Sequence, residues 1–180
     1  MRPGVLLVVA TLATWTACDP APYVPVIPKA VPKADAKKQA DEDDIREIAF
    51  REMLQKETAG ETCFISFDEP DVKGWIDPPG EFIARLRFPQ LKIHKVSEAR
   101  HPRPDERVPK EPDRYQSIRD PGTGKSSYVY YVRVEWVSAD EAKVTAGFTQ
   151  GPLSGGGTDW KVIREKGAWV LKERLSQWAH

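Results

Sequence analysis

The stretch Arg119-Asp120-Pro121-Gly122-Thr123-Gly124-Lys125-Ser126-Ser127 ends in the Gly-Lys-Ser that closes a phosphate-binding loop. Such a loop requires Gly-x-x-x-x-Gly-Lys-Ser/Thr between a buried strand and a helix, because loop amides and the helix N-terminus together hold the phosphates. Its first glycine would fall at position 119, which is arginine; a proline-rich polar stretch precedes the motif and a strand-like run follows it. The segment therefore reads as a turn entering a strand, and no nucleotide is expected. Gly155-Gly156-Gly157 reads in the same way, as a flexible hairpin loop or bulge between strands.

The remaining reactive residue types are sparse. His94, His101 and His180 lack metal-ligand spacing, so no metal and no other cofactor is expected. Cys63 stands in the apolar run Thr62–Phe67 without a base beside it, and reads as a small buried side chain rather than a nucleophile. Arg133 and Glu135 share a strand face at i, i+2 and read as a solvent-facing pair. His94, Asp68 and Glu69 are the candidates to line a pocket, with His94 the one possible general base. No catalytic residue emerges from these types and spacings.

The groups that must position them begin with an exported N-terminus. One arginine precedes thirteen uncharged residues from Val5 to Ala17, too few to cross a bilayer, and Thr16-Ala17-Cys18 resembles a bacterial lipobox with Trp15 in place of the usual aliphatic residue. The expected organisation is a lipoprotein signal peptide at 1–17, a lipidated Cys18 opening a Pro- and Lys-rich tether to residue 40, and one domain from 41 to 180. With Cys18 acylated, Cys63 has no disulfide partner. The 27 basic and 27 acidic residues balance, which disfavours nucleic acid as a partner. The expected location is a bacterial cell envelope, with the membrane reached through the lipid anchor.

Within the domain, Ile45, Ile48, Ala49, Met53 and Leu54 follow helical spacing, and Glu42/Arg46, Glu47/Arg51 and Glu52/Lys56 are i, i+4 pairs. Asp41–Asp44 predicts the first turn of that helix. Strands are predicted at 62–67 and 92–96, and a short helix at 78–86. A polar proline-rich segment spans 98–124. Tyr128, Tyr130, Val132, Val134 and Trp136 alternate on one face of a strand, and Ala142, Val144, Ala146 and Phe148 do so on the next. With strands from Thr158 to Arg164 and Ala168 to Arg174, these predict a four-strand antiparallel meander.

This order resembles the cystatin-like and ketosteroid-isomerase-like α+β rolls, in which a curved antiparallel sheet wraps an N-terminal amphipathic helix. The Ile45–Phe50 helix, the Pro78–Leu86 segment, Val134–Ser138 and the ending with Gly167-Ala168-Trp169-Val170 and Trp178 are similar to a group of uncharacterised bacterial exported proteins and lipoproteins. That resemblance implies a fold and a compartment. The expected function is a lipid-anchored envelope module that binds a protein or small molecule or serves a structural role; the alternative is a small-molecule binder or enzyme with a pocket between helix and sheet.

Overall fold

The computed structural model describes residues 36–69, 74–100, 117–151 and 154–179. Cys18, the expected signal peptide, residues 18–35 of the tether, His101 and His180 lie outside them. The fold class is α+β. Two helices, α1 (Ala36–Leu54) and α2 (Gly80–Arg85), accompany six strands: β1 (Thr62–Phe67), β2 (Lys92–Lys95), β3 (Tyr128–Ser138), β4 (Glu141–Gly151), β5 (Ser154–Glu165) and β6 (Ala168–Ala179). The strands make one open sheet in the order β2-β1-β3-β4-β5-β6.

The sheet is mixed, which corrects the antiparallel expectation: β1 runs parallel to both β2 and β3. Connection length is the cause. Parallel neighbours need a long crossover, and segments 68–91, which carries α2, and 96–127 provide it. From β3 onward each strand pairs antiparallel with the next in sequence order.

Strand alternation gives the sheet two unlike faces. On the first, Ile45, Ala49, Phe50 and Leu54 of α1 are buried against Cys63, Ile65 and Phe67 of β1, Tyr130, Val132 and Val134 of β3, and Ala142, Val144 and Ala146 of β4. Phe82 of α2 closes this core edge-on to Phe67, with ring centroids 4.9 Å apart. On the second face, Phe64 and Val129 form a smaller cluster with Val96, Ala99 and Ile118, against which Trp75 packs. Cys63 is buried in the first core, and burial pushes its thiol up to about 12.

Helix α1 already includes Ala36–Ala40, five residues expected to belong to the tether. Ala, Lys and Gln are strong helix formers, so the lysine-rich stretch extends the helix. Asp41–Asp44 consequently sit inside α1 rather than in its first turn, and their carboxylates reach outward. Asp41 meets Arg164 at 2.6 Å and accepts from the Trp169 indole at 3.3 Å. Glu42 accepts from the Trp136 indole at 2.6 Å, and Asp44 pairs with Arg85 of α2. The three i, i+4 pairs form, at 3.3, 2.9 and 3.0 Å. Arg46 is more than the i, i+4 partner of Glu42: it is 1% exposed, stacks on the Phe67 ring at 4.4 Å, and is ion-paired to Glu42, Asp43 and Glu69.

Candidate functional site

The three residues expected to share a pocket are held apart. The strand alternation continues past β1, since the Asp68 amide donates to the Val132 carbonyl at 3.1 Å. Asp68 therefore turns to the second face, where it pairs with Arg133 at 2.8 Å, while Glu69 turns to the first and meets Arg46. Burial raises the Glu69 pKa, with Arg46 acting against it. His94 lies opposite Phe64 in the β1–β2 register, four residues back along β1 from Asp68, or roughly 13 Å at a strand's rise per residue. Its Nδ1 meets Glu98 at 2.9 Å. The space between α1 and the sheet, where a roll would carry its pocket, is filled by the first core.

The Gly-Lys-Ser segment is a turn that delivers the chain into β3. Asp120 organises it, accepting from the Thr62 hydroxyl at 2.7 Å and from the Gly122 amide at 2.7 Å, and the Thr62 bond is the main reason its carboxyl lies below the usual range. Gly124 takes φ 69°, a left-handed conformation that a side chain would strain. The Ser127 hydroxyl donates to the Thr62 carbonyl, and β3 begins at the next residue. No helix follows to offer phosphate its N-terminus. A depression of about 390 Å³ beside the turn is lined by Thr62, Lys92, His94, Glu98 and Asp120, but its carboxylates serve to hold the turn to β1 and His94 to its neighbour.

A more unusual arrangement crosses the second face. Tyr131 of β3 lies opposite Gly147 of β4, Gly147 opposite Gly157 of β5, and Gly157 opposite Trp178 of β6. Four strands thus carry one row with an aromatic residue at each end and two glycines between. The rings fold inward. A Cβ on Gly147 would lie 2.6 Å from the Tyr131 ring, and one on Gly157 would lie 2.5 Å from the Trp178 ring. Each ring covers a glycine, and those glycines are on neighbouring strands, about 5 Å apart. Trp75 extends the line, its ring centroid 5.8 Å from that of Tyr131.

The adjacent row is polar. Arg133, Thr145, Asp159 and Ser176 are register neighbours across the same four strands. Asp159 accepts from Thr145 at 2.8 Å and Ser176 at 3.0 Å, and pairs with Lys143 at 3.2 Å. Burial alone would raise its pKa, but these donors hold it below the usual carboxylate value. The charges are mutually compensated, Arg133 by Asp68 and Lys143 by Asp159. Both α-helices lie on the other face; on this one a single 3-10 turn, Val96–Glu98, packs beside Phe64 and Val129, and among the described residues no α-helix covers it. Tyr131, Trp178, Thr145 and Asp159 are half-buried.

Comparison with protein-family models, with curated proteins and with solved structures finds no match to the chain in any of the three. Among the described residues no group of three His, Cys, Asp or Glu side chains is placed to hold a metal ion, and no helix is long and apolar enough to cross a membrane.

The aromatic and glycine row is not visible in the sequence because Gly155–Gly157 reads as a hairpin loop or bulge between strands. They lie inside β5, paired with Thr149, Phe148 and Gly147. The available signal was Gly147 within an alternating strand pattern, since glycine inside a strand marks close approach of other atoms.

Proposed function

We propose that the protein is a lipid-anchored binding module of a bacterial cell envelope. Cys18 is the acylated N-terminus of the mature chain, residues 19–35 form its tether, and the α+β domain, a roll whose last four strands act as a meander, holds a ligand-binding face away from the membrane. The observation that carries the binding part of this reading is the Tyr131–Gly147–Gly157–Trp178 row. Glycine in a strand interior costs stability, and here two of them make room for aromatic rings on a face that neither helix covers. The Thr16-Ala17-Cys18 junction supports the anchor.

Intact mass of membrane-extracted protein tests the anchor. The expected native chain starts at Cys18 and carries diacylglycerol and an acyl group, whereas Cys18→Ala carries neither. An unlipidated soluble product from the native sequence overturns the anchored reading.

A further inference from the structure

We infer that the second face of the sheet binds a neutral, extended polysaccharide strand, seated on the line Trp75–Tyr131–Trp178. This identifies a ligand class for the binding module and rests on that reading. Three features of the face carry it. The first is shape. Trp75, Tyr131 and Trp178 run across the strands, and Tyr131 and Trp178 cover glycines that are register neighbours. A Cβ at Gly147 would lift the Tyr131 ring, and one at Gly157 would meet both the Trp178 ring and, at 2.8 Å, the Ala146 carbonyl oxygen, so the sequence keeps a low aromatic surface at two consecutive positions. A pyranose presents an apolar face of C–H bonds, whose positive edges are attracted to the negative face of an aromatic ring. A run of pyranoses fits a line of rings.

The second feature is the polar margin. Arg133, Thr145, Asp159 and Ser176 alternate donors and acceptors one register row from the aromatic line. Sugar hydroxyls both donate and accept, and a few fixed polar groups beside an apolar surface are what orient such a ligand. Asp159 is already fixed by Thr145, Ser176 and Lys143, so its geometry is set before a ligand arrives.

The third is charge. Arg133 is paired with Asp68, Lys143 with Asp159, and Lys161 with Glu141 at 3.1 Å. The further charges of these rows, the exposed Glu135 and Glu173, lie opposite Lys143 and Lys161 in the register, so charge alternates in sign across the face. No single-sign field is left to attract a polyanion or a polycation, and the matching ligand is neutral and hydroxyl-rich. Single-stranded nucleic acid also stacks on aromatic rings, but its sites pair those rings with a positive groove.

The test uses full-length Cys18→Ala protein and isothermal titration with two probes, the β-1,4-linked tetramers of N-acetylglucosamine and of glucose. At least one is expected to bind. Preference for the first points to a cell-wall type of glycan, and preference for the second to an unsubstituted exopolysaccharide. Trp178→Ala is expected to weaken binding at least tenfold and Trp178→Phe much less, while Lys92→Ala, in the separate depression near β2, leaves it unchanged. Thr145→Val, which keeps the shape and removes a hydroxyl that donates to Asp159, is expected to weaken binding severalfold while lowering the melting temperature by only a few degrees and leaving the protein folded at the titration temperature, and so separates a binding loss from a folding loss. Absence of binding by both tetramers at millimolar concentration overturns the inference. So does binding that Trp178→Ala and Thr145→Val leave unaltered, binding of oligothymidine in place of the glycans, or a dimer in sedimentation that Trp178→Ala dissolves. Lipidation of Cys18 with no glycan binding would leave the anchored module standing with a different ligand; glycan binding without lipidation would leave the ligand and remove the anchor.

Discussion

The two faces of one sheet use the same strands and opposite solutions. On the α1 face, large side chains interdigitate: Phe50, Leu54, Ile65 and Val132 are fully buried, and even Arg46 is enclosed by three carboxylates and a ring. On the other face over β3–β6, glycines replace side chains and half-buried rings lie over them. A core face gains from filling volume, and each missing methylene is felt there. A binding face gains from a flat surface held in place before anything docks. Glycine, which weakens a core, serves that second purpose.

The largest expected difference between the faces is in stability. Phe50→Ala, at 0% exposure and edge-on to Phe82 at 5.9 Å, is expected to cost about 3–5 kcal/mol in urea denaturation, since it removes a buried ring and leaves a cavity. Trp178→Ala removes a larger side chain from a partly buried position, and is expected to cost less, about 1–2 kcal/mol, because the ring lies over Gly157 at the sheet surface and is not enclosed on all sides. Equal losses would make the second face another core and remove the contrast.

How much of this contrast was legible follows from what each face demands. Alternation of Tyr128, Tyr130, Val132, Val134 and Trp136, and of Ala142, Val144 and Ala146, marked the α1 face in the sequence because burial selects apolar residues at period two. The i, i+4 pairs of α1 were equally plain, being local. Arg46 was legible as the partner of Glu42 but not as a buried residue, since Phe67 and Glu69, which enclose it, are distant in sequence. The same holds for the row on the second face. Each of its members is ordinary alone, and only the register of four strands sets Gly147 beside Gly157 and between two aromatics. Asp68 and Glu69 were both expected to line a pocket, yet period two sends neighbours to opposite faces.

A second experiment sharpens the contrast by asking whether the glycines serve the rings. Gly147→Ala is expected to destabilise by about 1–3 kcal/mol, the usual cost of overpacking, because every close neighbour of the new methyl is an atom of Tyr131. In a Tyr131→Ala background the clash is gone, and the same substitution is expected to stabilise by about 0.5–1 kcal/mol, the ordinary gain of alanine over glycine in a strand. The sign change in a double-mutant cycle is the readout. A destabilisation of the same size in both backgrounds would place the strain in the backbone and not under the ring.

The smallest effect is in pH dependence, and it has opposite signs on the two faces. Glu69, on the α1 face, has a pKa raised above its ordinary 4.5 by burial. In the window just above pH 4.5 the native chain therefore holds more protons than the unfolded one, and this group makes stability fall as pH rises. Asp159, on the second face, lies below its ordinary 3.8 because Thr145, Lys143 and Ser176 outweigh its burial. Its contribution is complete above pH 3.8 and is lost as pH falls through the lower native value, so here stability falls as pH falls. Melting temperatures between pH 2.5 and 7 separate the two. Glu69→Gln is expected to flatten the slope above pH 4.5 and leave the acid limb alone, whereas Asp159→Asn reduces the slope of the acid limb below pH 3.8. Should Asp159→Asn leave that limb unaltered, the donors around Asp159 would not be fixed in solution, and the prearranged polar margin of the second face would lose its basis.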